Sequence, residues 1–421
     1  QYPVSTKGTD DVNHNAPAIG ISSDGYIHFL GSMHYKQGWQ YFRSAKPADI
    51  SSFTDYTQEK AENEGLNGWA ITYPYFYRSI KGTLFLTARS RTNTVHQGFT
   101  AGSNGGYLAK WDVQTKKWIT LGTTIKKWDT PYKVLLWDDA GVPIDSQTAN
   151  GYRAYQPYRN KIVFSDDNRL HLTWTIGRLG AYNDASTLSH QLYAYSPDEG
   201  ETWFRSDNTK IDSLPLGANN ATVIHVEDPP RLKNTPHIML DKTNNPVVIF
   251  RTGQRSYYYQ FDGSGWHDRG WDRIWSPQGV VEQGGRMVLF NGRCIRYSDD
   301  NGVTWEGAGI YCGIKIGLDP FHMQYLEKEY SRDNPGIRFM AKGIEDGDTL
   351  SAIFTLMPDA TPVERTRRAA VSKRLPIRNS PVTIYTLTGQ RIHAGKTGDS
   401  PGPGCLLAAQ KGQLVRWLLL R

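Results

Sequence analysis

The chain has 421 residues, a formal net charge of +7 and 38% hydrophobic residues. A chain of this length buries a sizeable core without disulfides or metals, and none of its apolar runs approaches the roughly 20 residues of a membrane helix. The positive charge is spread without a long Lys/Arg block, which fits a polyanionic partner or an ordinary solvated surface, and no motif supports nucleic acid. We therefore expect a monomer with no membrane span and no nucleic-acid partner.

The composition favours strands over helices. The chain contains 41 Gly, 22 Pro, 13 Trp, 24 Tyr and 14 Phe, which together indicate many short strands and tight turns. It begins at Gln1 rather than at methionine. That start is typical of an exported protein whose signal peptide has been removed, although a recombinant product begins in the same way. We expect a secreted or periplasmic bacterial protein.

Short strand phrases recur along the chain, each a turn followed by an alternating or apolar strand. His28 and His171 occupy matching positions in the first and third phrases, which indicates a packing role in equivalent strands, although His28 could instead serve a hydrolytic site. The phrases are SSDGYIHFLGS at 22–32, KGTLFLTARS at 81–90, DDNRLHLTWT at 166–175, NNPVVIFRT at 244–252 and GGRMVLFNG at 284–292.

Two further phrases, SPDEGETW at 196–203 and SDDNGVTW at 298–305, match the S-x-D-x-G-x-T-W pattern known as the Asp box. In this pattern the Asp and Gly shape a hairpin turn and the Trp packs beneath it. The motif is specific to propeller-like repeats and lies away from active sites. We predict a structural role for both copies.

Repeats of about fifty residues over roughly 370 residues correspond to about seven four-stranded units. The predicted fold is therefore an all-β, seven-bladed β-propeller over residues 1–375, with a pair of β-sandwiches as the alternative. From residue 376 the sequence changes character, beginning with PIRNSPVTIYTLTGQRI. We predict that residues 376–421 form a strand-rich C-terminal tail, either a sorting-like appendage or the strand that closes the ring.

Four polar side chains stand out in the first ninety positions: His14 in VNHNAP, His34 in GSMHY, Tyr73 in ITYPYF and Arg89 in FLTARS. A guanidinium fork can neutralise a carboxylate, which acidifies the hydrogen on the neighbouring carbon. A His or Tyr within hydrogen-bond reach can remove that hydrogen, and another can protonate the leaving oxygen. This set suits the cleavage of uronate-containing polysaccharides by β-elimination, and the chemistry requires no metal.

The phrases HNAPAIGISSDGYIHFLGSMHY, QYFRSAKP, ITYPYFYR and LFLTAR resemble the BNR-4 repeat family, and the similarity continues to about residue 305. That family includes ulvan lyases, L-rhamnose-α-1,4-D-glucuronate lyases and related α-L-rhamnosidases, all seven-bladed propellers. Its lyases carry two histidines about twenty residues apart, then a Tyr in a TYP phrase and an Arg sixteen residues later. The same spacings separate His14 from His34 and Tyr73 from Arg89, so the resemblance implies that these four residues are catalytic.

Each of the four residues has a predicted role. Arg89 binds the C5 carboxylate of a uronate, and His34 and Tyr73 are the base and the acid in an order left open. His14 polarises the carboxylate or tunes the Tyr. Positive neighbours lower the pKa of a phenol, which lets a Tyr act as a base near neutral pH.

Weaker signals supply four candidates for substrate binding: Lys36, Trp69, Tyr132 and Arg153. The resemblance places the last two at a distance where relatives hold substrate, and Lys36 and Trp69 are plausible cleft residues. Trp and Tyr rings stack on sugar faces, although most of the 13 Trp are expected to pack in the core.

The metal content is left open. Three cysteines are too few for a disulfide framework and match no zinc spacing. Cys294 and Cys312 could pair, could remain buried free thiols, or could join a histidine around a structural Zn²⁺ ion, and Ca²⁺ near the propeller axis is a second possibility. The candidate histidine ligands are His96, His190, His225 and His322.

The sequence thus predicts a secreted polysaccharide lyase that cleaves 1,4-linkages between rhamnose and glucuronate in an acidic polysaccharide or oligosaccharide. Ulvan and the rhamnose-capped side chains of arabinogalactan both contain that linkage. An exo-α-L-rhamnosidase is the nearest alternative, and a non-catalytic propeller that binds acidic glycans is another. A sialidase would need an arginine triad and a Tyr/Glu pair, which no phrase in the sequence supplies.

Overall fold

The structure is a computed structural model, and nearly all of its described residues lie in strands and turns. No helix among them is long and apolar enough to cross a membrane. The chain divides into two compact units, Gln1–Trp275 and Ser276–Arg421. The described residues are 18–31, 40–56, 61, 64–66, 70–91, 104–127, 130–137, 155–178, 188–227, 232, 236–251, 256–270, 279–283, 286–291, 294–309, 322–325, 337–345, 348–356, 381–385, 391–396 and 415–420.

The described strands of the first unit build four antiparallel sheets, which we call blades 1 to 4, and one hairpin. Blade 1 holds β1 (Ala18–Ile21), β2 (Ile27–Leu30), β3 (Tyr41–Ser44) and β4 (Phe53–Tyr56). Blade 2 holds β5 (Ala70–Arg78), β6 (Leu84–Arg91), β7 (Asn104–Asp112) and β8 (Lys117–Thr120), and the hairpin β9 (Thr123–Lys127) and β10 (Thr130–Val134) follows. Blade 3 holds β11 (Tyr155–Phe164), β12 (Leu170–Arg178), β13 (Leu188–Ser196), β14 (Trp203–Phe204), β15 (Lys210–Ile211) and β16 (Thr222–Val226). Blade 4 holds β17 (His237–Leu240), β18 (Pro246–Arg251), β19 (Ser256–Phe261) and β20 (Trp266–Asp268).

The second unit contains two further four-stranded sheets and a hairpin among its described residues. The first sheet holds β21 (Gly279–Gln283), β22 (Arg286–Asn291), β23 (Cys294–Ser298) and β24 (Glu306–Gly309). The second begins with β25 (His322–Tyr325), β26 (Ile337–Glu345) and β27 (Asp348–Leu356), the hairpin is β28 (Pro381–Tyr385) and β29 (Arg391–Lys396), and the last strand is β30 (Val415–Leu420).

The C-terminal strand β30 pairs with β27 and completes the sheet that β25 begins. The predicted boundary after residue 375 therefore separates two strands that hydrogen-bond in one sheet. The boundary itself stays a prediction, as does the count of seven blades.

Consecutive strands pair in chain order in blades 1, 2 and 4, and in blade 3 the strand β16 pairs with β13. These sheets confirm the all-β class, and each blade has two distinct ends. We call the end at which the first strand of a blade begins the front end, and the opposite end the rear end. Rear-end turns connect neighbouring blades. Glu199 of blade 3 accepts hydrogen bonds from Ser79 and Thr83 of blade 2 at 2.8 and 3.1 Å, and Asn244 of blade 4 donates to Asp166 of blade 3 at 3.1 Å. Blades 2, 3 and 4 therefore face the same way.

Both Asp boxes form the predicted hairpin turns. In the first, Asp198 accepts hydrogen bonds from the backbone N–H of Thr202 and the hydroxyl of Ser196, both at 2.8 Å. Gly200 has φ +95°, a conformation that a residue with a Cβ rarely adopts. Trp203 is buried beneath the turn and donates to the Gly200 carbonyl at 3.1 Å. The second box repeats these hydrogen bonds, so the structural role is confirmed.

His28 and His171 occupy equivalent buried positions, as the sequence predicted. The Nδ1 atom of His28 lies 2.7 Å from the Tyr41 hydroxyl and its Nε2 atom 3.0 Å from Ser22. His171 is also 2.7 Å from a phenol, that of Tyr193. Each imidazole links a turn serine to a tyrosine on the third strand of its blade. This geometry supports the packing role rather than a hydrolytic role for His28.

Stability should depend on pH through these two imidazoles. Burial, with a smaller effect from a nearby arginine, lowers the pKa of His28 and of His171 from 6.5 to about 3. The unfolded chain therefore binds protons between about pH 6.5 and pH 3 that the folded chain excludes, so stability is full above this window and is lost as the pH falls through it. We expect the free energy of unfolding to decrease by about 1.4 kcal/mol per pH unit per histidine.

Urea unfolding at several pH values between about 7 and 5 measures this slope. The variant His171→Gln should show about half the wild-type slope over that window, whatever its own stability at neutral pH. Equal slopes for the two proteins would contradict the assignment.

Candidate functional site

Tyr73 lies in a β-bulge near the front end of β5. The pairing of β5 with β6 passes from Thr72 opposite Arg89 to Tyr75 opposite Thr87, so Tyr73 and Pro74 together face one residue. Tyr73 has φ +56°, which is uncommon for a bulky residue and costs roughly 1–3 kcal/mol. Pro74 has no N–H to offer the ladder and therefore fits a bulge. Bulges re-aim side chains and are common beside active sites.

Arg89 lies on β6 beside this bulge, and its guanidinium contacts Tyr73. The Arg89 Cζ atom is 4.8 Å from the centroid of the Tyr73 ring. Both side chains are buried, at 4% and 6% exposure. The two residues that the sequence placed sixteen positions apart therefore form one charged, aromatic pair.

Polar side chains concentrate at the front half of β6. Thr87, Arg89 and Ser90 are buried there, whereas Leu84, Phe85 and Leu86 fill the rear half of the same strand. A buried polar group costs free energy unless it is hydrogen-bonded, so such a concentration is unusual in a core strand. The front half of β6 therefore carries buried polar side chains, whereas its rear half contributes apolar side chains to the core.

Blade 3 repeats the bulge and adds a buried cation that the sequence analysis missed. The pairing of β11 with β12 shifts between Tyr158 and Lys161, at the position equivalent to the bulge of β5. Lys161 is 7% exposed, and its Nζ atom lies 3.0 Å from the centroid of the Tyr75 ring. Lys161 therefore places a second positive charge on the ring of Tyr75, which follows Tyr73 by two residues in β5. A Pro-Tyr dipeptide recurs in the first strand of both blades, as Pro74–Tyr75 and Pro157–Tyr158, and is the sequence signal that could have located this lysine.

Most of the other predicted site residues lie outside the described residues. These are His14, His34, Lys36, Trp69 and Arg153. Tyr132 lies on β10, where its backbone pairs with Ile125, and its side chain is outside the described set. The described residues that flank His34 in the sequence, Gly31 and Gln40, are joined by a backbone hydrogen bond of 3.3 Å at the front end of blade 1.

The structure describes only some of the predicted metal ligands. Across the described portion of the chain, no group of three or more His, Cys, Asp or Glu side chains is arranged to hold a metal ion. His225 is engaged instead by the hydroxyl of Tyr259 and the carboxylate of Glu227, at 3.1 and 2.9 Å. His96 and Cys312 lie outside the described residues, and the Zn²⁺ and Ca²⁺ expectations stay predictions.

The structure also contains a Tyr–Glu pair that was not predicted from the sequence. Tyr257 donates a hydrogen bond of 2.9 Å to Glu227. The two residues come from different blades and are thirty positions apart, so no local phrase could reveal them.

Consecutive antiparallel blades with Asp-box turns define an all-β propeller, and the chain is similar to several solved structures at low sequence identity. An ulvan lyase, described as a new family of polysaccharide lyase, PL25, matches with a TM-score of 0.50 and 13% identity, over 82% of this chain and 79% of that one. The polysaccharide lyase Uly1 matches with a TM-score of 0.48 and 17% identity, over 82% and 75%. The α-L-arabinofuranosidase Arb93A of Fusarium graminearum gives 0.46 and 11%, over 84% and 94%.

The sequence profile of the BNR repeat-containing family matches residues 2–275. The chain therefore belongs to that family, and the matched region coincides with the first compact unit. No curated protein matches the chain.

Proposed function

We propose that this protein is a polysaccharide lyase that cleaves a 1,4-linkage at a glucuronate next to rhamnose by β-elimination. The observation that carries the proposal is the buried contact between Arg89 and Tyr73, with 4.8 Å from the guanidinium carbon to the ring centroid. One group binds an anion and the other transfers a proton. The family membership and the fold shared with a solved ulvan lyase are compatible with this chemistry.

Arg89 binds the C5 carboxylate of the uronate in this mechanism. A planar guanidinium offers two parallel N–H donors to a carboxylate, and a buried position strengthens the interaction because water does not screen it. Neutralising the carboxylate makes the hydrogen on C5 acidic. Lys161 adds positive charge to the same region and stabilises the anion that forms when that hydrogen leaves.

Tyr73 and His34 share the two proton transfers, one as base and one as acid. The base removes the C5 hydrogen, the C5 electrons form a double bond to C4, and the C4–O bond breaks with protonation of the leaving oxygen by the acid. The guanidinium of Arg89 lies over the Tyr73 ring and positions the phenol beside the substrate carboxylate. His14 polarises that carboxylate or tunes the phenol.

The proposed substrates are ulvan and the rhamnose-capped side chains of arabinogalactan, which share the rhamnose–glucuronate linkage. Both are extracellular acidic polysaccharides, so the enzyme is expected to act after export.

Product chemistry tests the proposal. Purified protein is incubated with ulvan and with gum arabic while the near-ultraviolet spectrum is followed. A lyase leaves a C4–C5 double bond, so absorbance rises as fragments appear. Release of rhamnose without that absorbance identifies a rhamnosidase, and retention of the glycan without any product identifies a binding protein. Either result rejects the lyase.

A further inference from the structure

A second polar cluster lies at the junction of blades 3 and 4. It consists of His225 and Glu227, on and directly after β16, and of Tyr257 and Tyr259 on β19. The Oε2 atom of Glu227 accepts two hydrogen bonds, each of 2.9 Å, from His225 Nε2 and from the Tyr257 hydroxyl. Since a carboxylate only accepts, the Nε2 atom of His225 carries the hydrogen, and its Nδ1 atom lies 3.1 Å from the Tyr259 hydroxyl.

The cluster lies at the front end of its blades, as the Tyr73–Arg89 pair does. The strand β16 pairs with the first residues of β13, where His225 is opposite Gln191. Tyr257 is the second residue of β19, which also begins at the front end. Tyr73 and Tyr257 belong to one continuous cluster of buried side chains. The two polar sites therefore share one end of the first unit and one supporting core.

The cluster packs against aromatic rings and keeps partial exposure. The His225 ring centroid is 4.5 Å from that of Tyr257 and 5.4 Å from that of Phe250. The side chains of His225 and Glu227 each keep 15% exposure. Both hydrogen bonds use Oε2, and Oε1 of Glu227 has no hydrogen-bond partner among the residues that the structure describes. An oriented acceptor beside aromatic rings is the arrangement that binds sugar hydroxyls.

We propose that Glu227, His225 and Tyr257 form a subsite for a neutral sugar residue that adjoins the uronate held by Arg89. The Oε1 atom of Glu227, for which the described residues supply no hydrogen-bond partner, accepts hydrogen bonds from sugar hydroxyls, and Tyr257 holds the carboxylate in place through Oε2. The negative charge of Glu227 repels a second carboxylate, so the subsite selects a neutral sugar while Arg89 selects the acidic one. This inference rests on the proposed function, which supplies the neighbouring uronate.

Ligand-observed NMR with two simple probes tests the subsite without requiring turnover. Saturation-transfer titrations are run with methyl α-L-rhamnoside as the neutral probe and methyl β-D-glucuronide as the acidic probe. The variants Glu227→Gln and Tyr257→Phe should each weaken binding of the rhamnoside by about tenfold, because each removes a charged hydrogen-bonding partner or its support. Both should leave binding of the glucuronide unchanged.

A matched control exists at the rear end of blade 4, where His267 and Asp262 form another His–carboxylate pair at 2.7 Å. The variant Asp262→Asn should bind both probes as the wild type does. Unfolding curves verify that each variant is folded. The proposal is overturned if the wild type does not bind the rhamnoside, if Glu227→Gln binds it normally, or if Asp262→Asn weakens it equally. The two proposals can fail separately. If the lyase assay fails but the rhamnoside still binds in a way that depends on Glu227, the proposed function is rejected and the subsite is retained.

Discussion

Replacing Tyr73 by Phe should lower kcat on a uronate-containing substrate by about 10²–10⁴, the usual contribution of a positioned proton-transfer group. The change removes one hydroxyl and keeps the ring on which the guanidinium of Arg89 lies. Because the bulge and the buried volume remain, we expect KM and the unfolding midpoint to change little. Initial rates of near-ultraviolet absorbance and a urea unfolding curve on the same sample measure both effects.

Blade 3 offers a matched control for this variant. Tyr195 is also buried beside an arginine, with Arg169 Cζ 4.7 Å from its ring centroid, and its hydroxyl donates to Asn208. This pair lies at the rear end. The variant Tyr195→Phe should therefore keep wild-type kcat. If Tyr73→Phe were fully active, the proposed catalytic centre would be wrong.

The features that the sequence predicted correctly are local ones. The Asp-box turns depend on five residues within one hairpin, and the His28 and His171 sites depend on a turn and the next strand. The Tyr73–Arg89 contact is also local in this sense, because β5 and β6 are adjacent strands of one hairpin with Thr72 opposite Arg89. Pairing within a hairpin follows from turn positions and side-chain alternation.

The features that the sequence analysis missed join different blades. Lys161 reaches Tyr75 from blade 3, and Tyr257 reaches Glu227 from blade 4. Such contacts depend on how neighbouring sheets twist and pack, which a period-two pattern does not encode. The sequence shows a lysine at position 161 within an apolar strand, but neither its burial nor its partner.

Changes to Arg89 should also lower kcat/KM strongly, because its charge acts on both the bound substrate and the anion that forms from it. We expect Arg89→Lys to lower kcat/KM by about 10²–10³, the range for removal of one preorganised donor. Lysine keeps the positive charge but lacks the planar, two-donor guanidinium. A lower kcat/KM in this variant would therefore show that bidentate binding of the carboxylate matters beyond simple charge attraction. Competition kinetics with a saturated uronate-containing oligosaccharide and with its methyl ester measure the effect.

The ester makes this experiment specific for carboxylate recognition. Esterification removes the negative charge that Arg89 binds, so the wild type should lose rate on the ester and the gap between wild type and Arg89→Lys should shrink. The control is Arg169→Lys, which alters the equivalent contact with Tyr195 at the rear end and should leave both substrates unaffected. An equal penalty for Arg89→Lys on the acid and on the ester would show that Arg89 supports the fold of the site rather than the charge of the substrate.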